Sequence, residues 1–264
     1  MATAVPNHAL RQLRAGKLAI GLGVNQARTV GIATLAKTAG FDWLFIDCEH
    51  GSLDTDTASQ LSTAALATGV SPIVRVPGFE HYLASRVLDN GAQGIVFPHV
   101  DDAATAKRVA DACRYPPVGK RSMGGALAQL GFASMPVGEA SKLVNEETLV
   151  VVMIESPEGV ANADAIAATK GVDALLIGTN DLCFEMGIPG QFNDPKVKDA
   201  YTRVIAACRK HGKFPGMGGM YTGELIERHV NMGVQLILSG SDASLLMAAA
   251  TTRASLVRGF EKKG

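Results

Sequence analysis

Residues 149–182, LVVVMIESPEGVANADAIAATKGVDALLIGTNDL, constrain the fold more than any other stretch of the chain. Two apolar runs in it each lead to an acid: LVVVMI ends at Glu155, and VDALLIG passes through Thr179 and Asn180 to Asp181. Runs this apolar and β-branched are strands covered on both faces, the mark of a parallel sheet. Between them, PEGVANADAIAATKG has a proline at its start, alanine-rich helical spacing and a glycine at its stop. The unit is strand–helix–strand, so both carboxylates emerge at the same C-terminal edge of the sheet. Two carboxylates beside a glycine-bearing turn suit a hard divalent cation, Mg²⁺ or Mn²⁺, that keeps water or substrate oxygens in its other positions. Zinc would call for histidine or cysteine, and neither stands at these two positions.

The same alternation runs through all 264 residues. Strands are expected at 18–24, 42–50, 71–77 and 94–100, in the two runs above, and at 213–219 and 234–240. Helical segments separate them, two of the early ones closed by Gly40 and Gly69. Eight strand–helix units of this length, with no shift in composition, predict an α/β chain folded as one (β/α)8 TIM barrel, a single domain over residues 1–264. An open doubly wound sheet is the competing arrangement, but its GxGxxG fingerprint after the first strand is absent. The stretch 115–138, YPPVGKRSMGGALAQLGFASMPVG, is too rich in proline and glycine for a helix and is the longest loop.

Charge and cysteine usage exclude several classes. Lys and Arg total 25 against 25 Asp and Glu, so no net field is built for nucleic acid or an anionic membrane. Neutrality leaves little repulsion between copies and permits a homo-oligomer. The four cysteines, at 48, 113, 183 and 208, have no CxxC spacing and read as reduced thiols of a cytoplasmic protein. No window has the length and apolarity of a signal peptide core or a spanning helix.

In a barrel, chemistry stands at the C-terminal strand ends. The polar residues there are Asp47, Glu49 and His50 after strand two, Arg75, His99, Glu155, Asp181, and Ser239 and Ser241. A lone acid after a strand is more often a helix cap, but two on neighbouring strands shift the balance toward a ligand pair. His50 alone would be a core or capping histidine. Beside a cation, with the Asp47 carboxylate three residues earlier to hold its neutral imidazole, it suits a proton acceptor near neutral pH. Arg75, inside the apolar run PIVRVP, is costly unless it is paired or faces an anion, and it suits a carbonyl oxygen that becomes an oxyanion. GTNDL at 178–182 opens a helix whose backbone N–H groups can hold a carboxylate, and SGSDAS at 239–244 is a weaker candidate of the same kind. Only Lys120 among the lysines has a position from which to approach, which argues against Schiff-base chemistry. Cation, guanidinium and base together suit an enolate formed from a 2-oxo acid.

At these residues the chain resembles the HpcH/HpaI aldolase family, the metal-dependent class II pyruvate aldolases of the 2-oxo acid/citrate lyase superfamily. The likeness runs through GFDWLFIDCEHG, IVRVP, VLDNGAQGIVFPHV, RYPPVGKRS, MIESPEGV and GVDALLIGTNDL. It implies a (β/α)8 barrel whose C-terminal helix is exchanged between subunits of a dimer, in a hexamer built as a trimer of dimers. It implies that Glu155 and Asp181 ligate Mg²⁺, Mn²⁺ or Co²⁺, that Arg75 polarises the keto oxygen, and that His50 is the base, working with a metal-bound water. Asp47 matches an acid of the active site, and Asp89, in VLDNG, matches one that pairs with the histidine. Substrate binding falls to Arg75, Thr179, Asn180 and Asp181, with backbone amides around the last two holding the pyruvate carboxylate.

The implied reaction is reversible aldol cleavage of a 4-hydroxy-2-oxo acid to pyruvate and an aldehyde, through a metal-stabilised pyruvate enolate. Two segments depart from the family pattern. Met153 stands where many members have glutamine, and the turn GTNDL replaces GPxDL; neither removes a ligand. A related reading is an acyl-CoA thioester lyase of the citrate lyase β or malyl-CoA type, which needs basic residues at the mouth and finds only Lys120 and Arg121. A third is a keto-acid-binding barrel without turnover, for which Met153 is the one feature. Acceptor choice is expected to rest on the loops at 115–138 and 184–194.

Overall fold

The computed structural model describes residues 3–261. Eight parallel strands close into a barrel in chain order: β1 (Ala19–Val24), β2 (Trp43–Asp47), β3 (Ser71–Arg75), β4 (Gly94–Phe97), β5 (Leu149–Ile154), β6 (Ala174–Gly178), β7 (Phe214–Gly218) and β8 (Leu236–Ser241). Closure pairs Ala19 with Leu236, and the register of β2 against β3 sets Asp47 beside Arg75.

Successive side chains on a strand point to opposite faces, and here both faces are apolar. Leu44, Ile46, Val74, Ile95, Val150, Val152, Leu175 and Ile177 face the surrounding helices. Trp43, Phe45, Ile73, Val96, Leu149, Val151, Met153, Leu176 and Leu238 fill the lumen. That double burial is why the strands read as continuous apolar runs. Carried one step further, the same parity sets Asp47, Arg75 and Glu155 at the top of the lumen.

The lower end is plugged by the helix His8–Arg14, whose Ala9, Leu10 and Leu13 join the lumen cluster. Buried Asn7 anchors it: its Oδ1 accepts from Leu10 N, while its Nδ2 donates to the carbonyls of Gln93 and Glu147, each at 3.0 Å. One layer up, the Trp43 indole occupies space that only Gly21 leaves open. A Cβ at position 21 would stand 2.3 Å from Trp43 Cε2. Gly21→Ala is therefore expected to cost about 3 kcal/mol through overpacking, seen as a lower Tm; an unchanged melt would mean that the indole repacks freely.

The structure trims several expected boundaries. β2 stops at Asp47 rather than running to 50, because the Asp47 carboxylate takes the N–H groups of Glu49 and His50 and turns the chain. β4 stops at Phe97, before Pro98 and before His99, whose φ is 49°. The helix expected between β5 and β6 is two, Pro157–Ala161 and Ala163–Ala168, broken at Asn162, whose side-chain amide donates to the carbonyl of Asp101. The 115–138 loop folds back along the helix Ala103–Cys113, with Lys120 N bonded to Asp111 O and Arg121 N to Arg114 O. Leu127 and Leu130 pack there with Tyr115 and Val144 in a small satellite core. The last helix, Asp242–Arg258, has no buried residue in this chain and exposes Leu245, Leu246, Met247, Leu256 and Val257. Among the described residues no helix is long and apolar enough to cross a membrane.

Candidate active site

The C-terminal strand ends surround a cavity of about 300 Å³. Phe45, Met153, Leu176 and Leu238 form its floor, and Asp47, Arg75, Glu155 and Asp181 stand in its wall. Gly178 and Gly218 occupy the uppermost lumen positions of β6 and β7; a Cβ at Gly218 would enter the cavity above Leu238 and Leu176. At Gly178 the constraint is steric: a Cβ would lie 2.3 Å from Glu155 Oε1.

Asp47 and Arg75, neighbours across β2 and β3, form a buried two-pronged pair. Arg75 Nε donates to Asp47 Oδ1 at 2.9 Å and Nη2 to Oδ2 at 2.6 Å. The third nitrogen, Nη1, lies 3.0 Å from Glu49 Oε2 and 4.0 Å from Met153 Sδ, and the guanidinium stacks over Phe45. Burial works against its charge, but the hydrogen bond and charge of Asp47, with Glu49 and Glu155 beyond, more than offset that, and its pKa lies above the ordinary value. Arg75 is thus a fixed cation, its fork held from behind by Asp47. On that side Nη1 meets only the thioether of Met153.

Glu155 is almost wholly buried. Its Oε2 accepts the backbone N–H of His99 at 2.9 Å, and His99 Nδ1 lies 3.5 Å from the same oxygen. Burial pushes the Glu155 carboxyl up to about 7, and the charge of Asp181 adds to that. Asp47 and Arg75 largely neutralise one another, so the excess negative charge in the cavity lies on Glu155 and Asp181. A divalent cation fits this donor set, since it would replace the proton that burial otherwise favours. Among the described residues no third His, Cys, Asp or Glu joins the two in a metal-binding group. Water or substrate oxygens would fill the rest of the shell, as Mg²⁺ and Mn²⁺ accept.

Thr179 and Asn180 also line the cavity. The Thr179 hydroxyl is used within the wall, donating to the carbonyl of Gly218 at 2.8 Å and meeting Tyr201 Oη at 2.8 Å. It fixes the start of the helix Thr179–Glu185, which carries Asn180 and Asp181. His50 stands at the mouth, its side chain 65% exposed. Asp47 holds the His50 backbone N–H rather than the imidazole, contrary to the expected carboxylate–imidazole contact; the three-residue spacing makes a turn instead. The imidazole Nε2 is 3.9 Å from Glu49 Oε2. Asp89, at the end of the helix His81–Asp89, pairs with Arg121 Nη2 at 2.6 Å and lies outside the cavity lining. Ser241 lies in the cavity lining, and Ser239 does not.

Several lining residues were not anticipated. Asn25, at the end of β1, donates from Nδ2 to Asp47 Oδ2 at 2.8 Å and to the His50 carbonyl at 3.3 Å. A polar residue ending an apolar run was its signal, the same one that marked Glu155. Tyr221, after β7, also lines the cavity, as does Gly219 before it. No residue of 115–138 or 184–194 does so, and neither does any lysine, among the described residues. Arg121, a candidate for binding CoA phosphates, is buried against Tyr115.

Comparison with known proteins agrees with this architecture. The HpcH/HpaI aldolase/citrate lyase family model matches residues 22–249. The 4-hydroxy-4-methyl-2-oxoglutarate aldolase cghB of Chaetomium globosum is 39% identical over 264 aligned residues, covering 97% of each chain. The hydroxypyruvate/pyruvate aldolase of Pseudomonas aeruginosa is 37% identical over 96% of this chain and 93% of its own. Among solved structures, an HpcH/HpaI aldolase from Desulfitobacterium hafniense superposes with a TM-score of 0.91 at 29% identity, covering 97% of this chain and 98% of that one. Fold and sequence converge, and the chain belongs to the HpcH/HpaI aldolase/citrate lyase family.

Proposed function

We propose that this protein is a divalent-cation-dependent aldolase that reversibly cleaves a 4-hydroxy-2-oxo acid to pyruvate and an aldehyde. The observation that carries the reading is the acid pair of buried Glu155 and half-buried Asp181 facing Arg75 across a cavity that no described lysine lines. Glu155 and Asp181 would hold Mg²⁺, Mn²⁺ or Co²⁺, whose charge, when bound, lowers the energy of an enolate formed from a 2-oxo acid. Arg75 donates from Nη1 to the keto oxygen and carries part of the same charge, and Asp47 keeps its fork from rotating. Backbone N–H groups of Asn180 and Asp181 take the carboxylate. His50, at the open mouth, accepts the C4 hydroxyl proton as the C3–C4 bond breaks. The bond's electron pair then enters the enolate, which is protonated at C3. The names of the two relatives, both aldolases of 2-oxo acids, support this assignment.

In heavy water with pyruvate and Mn²⁺, the methyl protons are expected to exchange, and EDTA is expected to stop the exchange. Absence of exchange with each of Mg²⁺, Mn²⁺ and Co²⁺ would refute the proposal.

The cation dependence has a pH signature. A carboxyl whose pKa is raised on folding favours the native state below its ordinary value and costs stability as pH rises through about 7. A cation that replaces the proton relieves that cost only where the carboxyl has lost it. The rise in Tm on adding Mn²⁺ is therefore expected to be small at about pH 6 and larger at about pH 8. A shift independent of pH would place the cation elsewhere.

We further infer a homo-oligomer, in which the apolar side of the helix Asp242–Arg258 is covered by another copy, with the hexamer as the expected form. The exposed Leu245, Leu246 and Met247 support it. The free thiols of Cys48, Cys113, Cys183 and Cys208 support a reducing, cytoplasmic setting.

A further inference from the structure

We propose that Asp242 is a positioning residue for Arg75, tying the first turn of the last helix to the active site through Asn25 and Asp47. The inference rests on the proposed role of Arg75 in the aldol reaction.

Three consecutive backbone amides of the loop after β1 point at one carboxylate. Asn25 N donates to Asp242 Oδ1 at 3.1 Å, and Gln26 N and Ala27 N donate to Oδ2 at 3.0 and 2.6 Å. Successive N–H groups of this kind form an anion-binding nest, and here the anion comes from the far end of the chain. The ordinary explanation, that Asp242 caps its own helix, is already taken: Ser241 and Ser244 form a reciprocal capping box there. Asp242 is therefore not needed as the cap; one oxygen, Oδ1, also accepts Ala243 N of its own helix at 2.7 Å, and the side chain otherwise turns to the β1 loop.

Holding that loop determines where Asn25 stands. The Asn25 amide meets Asp47 Oδ2, the oxygen that also accepts Arg75 Nη2. It also meets the carbonyl of His50. Asn25 thus braces both the acid behind the guanidinium and the turn that carries the candidate base. Without Asp242, three amides lose a charged acceptor, the loop relaxes, and Asp47 loses one of the two donors on Oδ2. A fork rotated by a fraction of an ångström is enough to change the rate, because misplacement of about 1 Å costs on the order of 10²-fold.

The test is a cycle of Asp242→Ala, Asn25→Ala and the double variant, read by pyruvate methyl exchange with Mn²⁺ and by thermal melts. Asp242→Ala is expected to lower kcat by about tenfold to a hundredfold with little change in the Mn²⁺ concentration required. In the Asn25→Ala background the same change is expected to cost nothing more, since the link is already cut. Asp242→Asn, which keeps one acceptor oxygen, is expected to fall between. It also serves if the alanine variant does not fold. Multiplicative losses in the double variant, or a lower Tm with unchanged kcat, would overturn the proposal. A crystal structure of the Asp242 variant reads the same link without turnover: Asn25 still on Asp47, with the Arg75 pair unmoved, would also overturn it. Wild-type protein that shows no exchange would instead refute the aldolase reading.

Discussion

Glu155→Gln is expected to lose divalent-cation binding and to slow turnover by about 10³-fold or more, the equivalent of several kcal/mol of transition-state charge stabilisation. The substitution keeps the shape of the side chain and its acceptor for the His99 N–H. What it removes is the charge that, with Asp181, makes the cavity anionic. The fold should survive, and stability should move in the opposite direction from activity. Burial opposes ionisation of this carboxyl, whose pKa stands at about 7. With no cation added, the neutral amide is therefore expected to melt higher than wild type at about pH 8. Melts with and without Mn²⁺, alongside the exchange assay, separate the two effects. Retained activity with retained Mn²⁺ stabilisation would remove Glu155 from the mechanism.

Arg75→Lys is expected to reduce kcat by about 10²–10³-fold while leaving cation binding intact. Charge is conserved, but an ammonium cannot reproduce the fork that donates from Nε and Nη2 to the two oxygens of Asp47. A lysine here must choose between Asp47 and the keto oxygen, whereas arginine serves both because Nη1 is a separate donor. The proposed cation ligands, Glu155 and Asp181, lie across the cavity after β5 and β6, so the Mn²⁺-induced rise in Tm should match wild type. Loss of that rise together with activity would mean that the substitution had collapsed the cavity.

The barrel was legible in the sequence because its strands are buried on both faces, and such runs leave little else for the chain to do. The acids at 155 and 181 were legible for a related reason: each ends an apolar run, so each must surface at the same rim. What Asp47 holds was not legible. A spacing of three residues to His50 is equally compatible with an imidazole contact and with a backbone turn, and the backbone won because two N–H groups needed an acceptor there. Asp89 is likewise ambiguous from sequence, since its partner Arg121 is set by the fold of a proline- and glycine-rich loop whose path no periodicity encodes. Asn25 was not legible because it falls just past the expected strand 18–24, and its contact with Asp47 depends on how the β1 and β2 ends meet in the closed barrel. The direction of the 115–138 loop, away from the cavity, was beyond reach for the same reason.

A pocket made by absent side chains sets limits on how its selectivity can be altered. A side chain at Gly178 would displace Glu155, and at Gly218 every replacement adds bulk to the lumen, so libraries built at those two sites will narrow the acceptor range and never broaden it. Room for larger acceptors has to come from trimming Leu176, Leu238 or Met153 below, or from Tyr221 at the mouth. Evolution toward bulkier substrates along this lineage is accordingly expected to leave its traces at the aliphatic and aromatic positions, with the glycines unchanged.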